Sequence, residues 1–268
     1  MIPSPAKGSS HIVTNEDSLF TYTSGRWLYK TPLTCPLKLR YNEKQHIEDR
    51  YVSFDVVNLQ RIAAESVGRE RCVSIKKLAE GGFNWVFLLT MDDGQEVVAK
   101  IPFRNAIPAR YLTASEVATM DFLRNQLQIP VPKVFAWSFD RDSNPVGVEY
   151  IVMEKASGVA LGDLWWSLDN KQLLKVITQL VKYEAKLLQT RLSAYGSIYF
   201  KENLPVGTNN RLFSIPNEFP QQYCIGLIAD QRFWQDNRGN LDIDRGPCKC
   251  LPDQTDNRDN IPGLFLIN

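Results

Sequence analysis

The order of patterns along this 268-residue chain predicts an α+β fold. Two observations carry that expectation. Residues 73–90 and 96–101 alternate apolar and polar positions and are rich in Val, Ile, Phe and Leu; between them, Met91-Asp92-Asp93-Gly94 ends in an Asp-Gly pair that favours a hairpin turn. Segments with helical period flank these strands, so the chain reads helix, strands, helix, strands and a long helix.

Residues 1–17 hold Pro3, Pro5, Gly8, Ser9 and Ser10 with little periodicity and read as a flexible arm. Residues 30–40 carry Pro32 and Pro36, follow neither period, and are expected to form an exposed, poorly ordered loop. Residues 55–67 are the first helix. Val57, Ile62 and the alanines supply its apolar side, Ser53 or Asp55 can cap it, and Gly68 stops it. A second helix is expected at 114–128, where Val117, Met120, Leu123 and Leu127 recur at helical spacing. It has to end before Pro130-Val131-Pro132, because proline disfavours helical backbone in its predecessor.

Residues 134–138 and 147–154 read as strands around a turn-rich stretch at 140–145. Residues 171–189 form the most regular helix, with Leu173, Leu174, Ile177, Leu180, Val181, Leu187 and Leu188 in one stripe. That stripe is expected to be partly uncovered. Beyond about Tyr199 the pattern weakens among prolines from Pro205 to Pro262, and a loop-rich segment is expected.

Composition excludes several classes of function. Hydrophobic residues make up 44% of the chain, enough for a packed core. Thirty-one basic against thirty acidic side chains leave a net charge of +1, which argues against nucleic acid as a partner. The five cysteines, Cys35, Cys72, Cys224, Cys248 and Cys250, include no Cys-x-x-Cys pair and have no nearby histidine, so they read as free thiols and not as zinc ligands. No apolar run approaches the roughly 18 residues of a membrane span. Residues 1–14, with one lysine, no arginine and Glu16 and Asp17 close behind, are not expected to act as a signal or transit peptide.

Four elements carry chemistry. Leu78-Ala79-Glu80-Gly81-Gly82-Phe83-Asn84 lies between two strand patterns. Its glycines let a hairpin tip approach a phosphate with free backbone N–H groups, and Asn84 can add a side-chain donor; an ordinary turn is the alternative. Val97-Val98-Ala99-Lys100 follows, and a strand lysine after a glycine-rich hairpin can pair with nucleotide phosphates, or simply face solvent. Glu116 can hold that lysine in an extended pose, or can close a capping box with Thr113. Ile151-Val152-Met153-Glu154-Lys155-Ala156 is a strand running into extended chain, whose unpaired backbone groups could read a base edge; a strand that simply ends is the alternative. Asp242 and Asp244 would share a face if extended and could hold Mg²⁺, but a solvated loop is the stronger reading. Trp165-Trp166 and Trp234 are expected in core and rim packing, because no basic run interleaves them.

Taken in order, Glu80-Gly81-Gly82-Phe83-Asn84, Lys100, Glu116, the proline-rich link Ile129-Pro130-Val131-Pro132-Lys133-Val134 and Met153-Glu154 resemble the small lobe of the aminoglycoside phosphotransferase and choline-kinase branch of the protein-kinase-like superfamily. Arg61-Ile62-Ala63-Ala64-Glu65-Ser66-Val67-Gly68, Tyr195-Gly196-Ser197-Ile198-Tyr199-Phe200, and Phe233-Trp234 with Leu241-Asp242-Ile243-Asp244-Arg245-Gly246-Pro247 are similar to the fungal altered inheritance of mitochondria protein 9 family. The resemblance implies a kinase-like small lobe at 53–156, preceded by an arm at 1–52 with an insert at 30–40. A partial helical large lobe at 157–247 and an unrelated tail at 248–268 would follow. It implies nucleotide-binding roles for Gly81, Gly82, Phe83, Asn84, Lys100, Glu116, Glu154 and Ala156, with ATP as cofactor, a small-molecule acceptor, and a mitochondrial location, the cytoplasm being the alternative.

The family's catalytic aspartate, neighbouring asparagine and metal-binding aspartate would follow residue 247. The only histidines, His11 and His46, precede the cradle, so no His-x-Asp loop follows it. The chain is therefore expected to be truncated and inactive in phosphoryl transfer, with Mg²⁺ needed only by a complete family member. A non-catalytic, pseudokinase-like binding module and a mis-predicted gene product are the competing readings.

Overall fold

The computed structural model describes the backbone of residues 20–23 and 26–29, and residues 52–103, 108–204, 212–234 and 238–248 in full. The arm expected at 1–17, the loop expected at 30–40 and the tail from 249 onward lie outside the described residues. Strands β1 (Phe20–Thr23) and β2 (Arg26–Tyr29) pair antiparallel.

Helix α1 spans Val56–Ser66 and begins as its sequence suggests: the Asp55 carboxylate accepts the Asn58 backbone N–H at 2.9 Å. Gly68, at φ +70°, turns the chain out of it, a conformation open to glycine at no steric cost. The apolar side differs from expectation. Val56, Leu59, Ala63 and Ala64 are buried, whereas Val57 faces solvent, because the buried arc is centred on Leu59 and Ala63.

Strands β3 (Cys72–Glu80), β4 (Asn84–Met91) and β5 (Glu96–Pro102) follow, then helix α2 (Tyr111–Asn125) and strands β6 (Val134–Ser138) and β7 (Tyr150–Glu154). They form one antiparallel sheet in the order β3-β4-β5-β7-β6. Gly94, at φ +85°, closes the expected turn between β4 and β5. Strand register divides the residues between two faces. Trp85, Phe87 and Leu89 stand opposite Ile101, Ala99 and Val97, and all six pack into the core shared with α1. Val86 stands opposite Lys100, and Lys100 opposite Ile151, so Lys100 belongs to the other face.

That face is served by α2, which starts at residue 111 and not at 114. Its N-cap, Arg110, has φ 68° and makes no side-chain cap. A distant group replaces the cap. The buried Glu149 carboxylate accepts the Arg110 N–H at 3.2 Å and the Thr113 hydroxyl at 2.7 Å, and pairs with Arg141 at 3.1 Å. Nothing local in the sequence marks this start.

Beyond the sheet come a short helix α3 (Leu161–Leu164) and the long helix α4 (Asn170–Gln189), which opens on a capping box between Asp169 and Gln172. No α4 side chain is buried among the described residues, and Leu174, Ile177, Leu180, Val181 and Leu188 of its stripe are exposed. Trp165 is partly exposed and Trp166 is 94% exposed, against the expected packing; Trp234, in contrast, is packed.

The segment expected to be loop-rich holds a second sheet. Strands β8 (Ser197–Phe200), β9 (Phe213–Ser214) and β10 (Tyr223–Gly226) pair antiparallel in the order β8-β10-β9. They are short, which hides their alternation. Ile198, Tyr223 and Ile225 share a core with Ala118 and Phe122 of α2, where the Phe122 ring meets Tyr223 edge-on at 5.4 Å. Helix α2 thus packs on both sheets.

Candidate functional site

Lys100 and Glu116 form the centre of the site. The Lys100 ammonium donates to both Glu116 carboxylate oxygens, at 2.5 and 2.6 Å, with the two side chains 21% and 24% exposed. The contact decides between the two sequence readings of Glu116. Thr113 lies inside the helix and donates to Glu149, so no capping box forms there, and the Glu116 carboxylate is engaged by Lys100. One α2 turn beyond the Glu149 anchor, Glu116 is placed by the same buried carboxylate that starts the helix.

The β3–β4 tip lies beside this pair. The Gly81 N–H donates to the Asn84 carbonyl at 2.9 Å, so that amide closes the turn and is not free, contrary to expectation. The Gly82 and Phe83 N–H groups have no acceptor among the described residues. A Cβ on Gly82 would meet nothing within 4 Å, whereas one on Gly81 would stand 3.2 Å from the Asn84 side-chain oxygen. The tip is therefore open on its outer side and held on its inner side.

A cavity of about 540 Å³ joins these parts. Asn84, Lys100, Pro102 and Ile151 reach it from one sheet face, Phe83 from the tip, and Leu112, Thr113 and Glu116 from α2. Of the residues singled out in the sequence it brings together Phe83, Asn84, Lys100 and Glu116; Gly81, Gly82, Glu154 and Ala156 do not line it. Glu154 is committed elsewhere. Its N–H donates to the Lys133 carbonyl at 2.7 Å, and its carboxylate accepts from Arg124 and from the Lys133 N–H, both at 3.0 Å. The expected free amide at Glu154 is thus paired, because it fastens β7 to the link after α2. Ala156 is exposed in the extended chain beyond β7.

The far wall is made by Asp230, Gln231 and Arg232, which follow β10. The Asp230 carboxylate accepts from the Arg232 backbone N–H at 2.9 Å and from its guanidinium, and those hydrogen bonds hold it below the usual carboxylate range. These three residues carry no motif of their own; a charged pair set just before Phe233-Trp234 is the one mark they bear in the sequence. Asp242 and Asp244 are exposed and do not line the cavity; the Asp244 carboxylate accepts the Gly246 N–H at 2.9 Å.

An antiparallel sheet with a strand lysine held by a helix glutamate defines the small lobe of a kinase-like phosphotransferase. The chain belongs to the phosphotransferase enzyme family (APH), whose model matches residues 74–209. Its relatives are fungal. A subtelomeric hrmA-associated cluster protein of Aspergillus fumigatus is 45% identical over 184 residues, 69% of this chain and 35% of the relative. Altered inheritance of mitochondria protein 9, mitochondrial, of Meyerozyma guilliermondii is 31% identical over 158 residues, 56% of this chain and 26% of the relative. The Yarrowia lipolytica protein of that name is 26% identical over 271 residues, 91% of this chain and 45% of the relative. The chain thus spans between 26% and 45% of the length of these relatives.

Proposed function

We propose that this chain supplies the nucleotide-binding side of an ATP-dependent phosphotransferase that acts on a small molecule in mitochondria. The observation that carries the reading is the Lys100–Glu116 pair on the wall of a cavity that also holds Phe83 and Asn84. The cavity volume of about 540 Å³ suits a small-molecule site. Mitochondrial location is supported by the names of the relatives from Meyerozyma guilliermondii and Yarrowia lipolytica.

ATP, when bound, supplies the phosphoryl group. The chain's own residues position and neutralise: Glu116 keeps Lys100 extended, the Lys100 ammonium offers a fixed positive charge, and Asn84 with the Gly82 and Phe83 amides offers donors at the tip. Phosphoryl transfer depends almost wholly on such positioning and charge stabilisation, together with a base or water-orienting group. Both histidines precede the cradle, so a polypeptide of these 268 residues is expected to bind nucleotide without turning it over. The exposed α4 stripe favours a second reading, a binding module that works through a surface.

Calorimetric titration with ATP beside a phosphate-release assay tests the proposal. Wild type should bind weakly and release no phosphate, and Lys100→Ala should lower affinity about tenfold, the worth of one charge-assisted contact. Unchanged affinity in Lys100→Ala would remove the nucleotide reading. Mg²⁺-dependent turnover lost in Asp242→Ala or Asp244→Ala would show that those aspartates are catalytic.

A further inference from the structure

We propose that the outward face of α4, with Trp166 just ahead of it, is a docking surface for an anionic phospholipid bilayer. The inference stands apart from the nucleotide reading; it rests on the surface reading above and names the partner.

The first support is how α4 sits. The Lys186 ammonium donates to the Leu127 and Gln128 carbonyls at 3.0 and 3.3 Å, which fastens the last turn of the helix to the chain after α2. Leu173, Val176, Tyr183 and Leu187 are half-buried and mark the side turned toward the rest of the protein. Leu174, Ile177, Val181 and Leu188, at steps of three, four and seven residues, form a separate stripe that is exposed. From Leu174 to Leu188 it runs about 21 Å along the axis. The cavity of the candidate site takes no residue from it, so the two surfaces are distinct. A convex apolar ridge suits a surface that yields around it, as the boundary between headgroups and acyl chains does.

The second support is charge. Lys171, Lys175, Lys182 and Lys186 lie at steps of four, seven and four residues and form a second stripe beside the first. Glu184 is the one carboxylate within the helix. Lys171, Lys175 and Lys182 are exposed and make no ion pair among the described residues. Asp169, just before the helix, is engaged by the Gln172 N–H that it caps. Lysines along an apolar stripe are complementary to an anionic headgroup layer: their stems lie along the apolar surface and their ammonium groups reach the phosphates. The third support is Trp166, which is 94% exposed. An indole suits the same boundary, where its ring is buried and its N–H stays hydrated.

Flotation of the 268-residue chain with vesicles of phosphatidylcholine, and with vesicles of equal parts phosphatidylcholine and phosphatidylglycerol, tests this. Wild type should float with the anionic vesicles far more than with the neutral ones, and less as salt is raised. Lys171→Gln with Lys175→Gln and Lys182→Gln should lower affinity for the anionic vesicles on the order of a hundredfold, about fivefold for each lysine, and leave the melting temperature unchanged. Trp166→Gln with Val181→Gln should lower affinity for the anionic vesicles, again at an unchanged melting temperature, because both side chains are exposed. Equal flotation with neutral and anionic vesicles overturns the inference, as does wild-type affinity in either variant. If a variant does not fold, wild type decides: flotation with anionic vesicles that salt does not weaken sinks the proposal. A wild type that associates with itself and floats with neither vesicle overturns the inference and leaves the surface reading standing. A monodisperse chain that floats with neither overturns both. The nucleotide reading is tested by the ATP titration and is untouched by each of these results.

Discussion

The Thr113 hydroxyl donates to the Glu149 carboxylate at 2.7 Å, joining the first turn of α2 to the chain just before β7. Glu149 is 2% exposed and also accepts from the Arg110 N–H and pairs with Arg141. Truncating it leaves the Thr113 hydroxyl without its acceptor and the helix start uncapped. Glu149→Ala should therefore cost about 2 kcal/mol, the scale for a lost helix cap and a buried hydroxyl left without its acceptor. Thr113→Val should cost about 1 kcal/mol, as for one lost hydrogen bond. Denaturant unfolding measures both. Because Glu116 rides on the same helix, Glu149→Ala should also weaken ATP binding, whereas a change in stability alone would separate the anchor from the site.

The two tip glycines should respond differently to alanine. A Cβ on Gly82 meets nothing, so Gly82→Ala should leave stability within about 0.5 kcal/mol. A Cβ on Gly81 stands 3.2 Å from the Asn84 side-chain oxygen, so Gly81→Ala should push the Asn84 side chain aside by a few tenths of an ångström and lower ATP affinity modestly. Comparing melting temperature with ATP affinity for each variant checks this. Equal behaviour of the two would contradict the geometry.

Alkaline unfolding should report on Tyr223. Burial, with the Asp121 carboxylate that accepts its hydroxyl, pushes this phenol from 10.0 up to about 12. Its folded-state value lies above its unfolded one, so the neutral form is favoured in the fold. The stability it contributes is fully present below pH 10 and is lost as pH rises toward about 12. Tyr199, raised in the same direction by burial, adds to the loss. Stability followed by denaturant melts from pH 8 to 12 should fall across that window in wild type and fall less in Tyr223→Phe, after allowance for the lost hydrogen bond. A flat profile in wild type would contradict this.

The α4 stripe sets a solubility prediction. Leu174, Ile177, Leu180, Val181 and Leu188 present apolar surface on one helix, and patches above a few hundred Å² bind dyes and promote association. Purified chain should bind an apolar dye and sediment as more than one species. Leu180→Lys with Leu188→Lys should reduce both signals and leave the melting temperature nearly unchanged. A monodisperse wild type without dye binding would show that the stripe is covered.

Much of the fold was legible because its signals are local. The Asp-Gly turn, the Asp55 cap with its Gly68 stop, and the α4 stripe each depend on neighbours within a turn or two. Lys100 and Glu116 were legible as candidates, but spacing left Glu116 between this pairing and a capping box, and the resemblance to a kinase-like small lobe alone paired them. The rest depended on contacts between distant residues. The start of α2 is set by Glu149, and the amide of Glu154 is taken by Lys133. Strands β8 to β10 are two to four residues long, too short for alternation to show, and they form because Phe122 gives them something to cover. The Asp230–Arg232 wall is set at the cavity by contacts between distant residues, among them Trp234 with Tyr111 and Ala229 with Ser197. Trp165 and Trp166 show the converse: aromatic composition favours a core, but no element among the described residues buries them.

Tyr111 and Glu116 lie five residues apart on one rigid helix, about 7.5 Å along its axis. Tyr111 grips Trp234 and Glu116 grips Lys100, so α2 is a rocker shared by both jaws of the cavity. A tilt of α2 that lengthens the Lys100 contact should therefore also disturb the ring stack, and the fluorescence of Trp234 should report it.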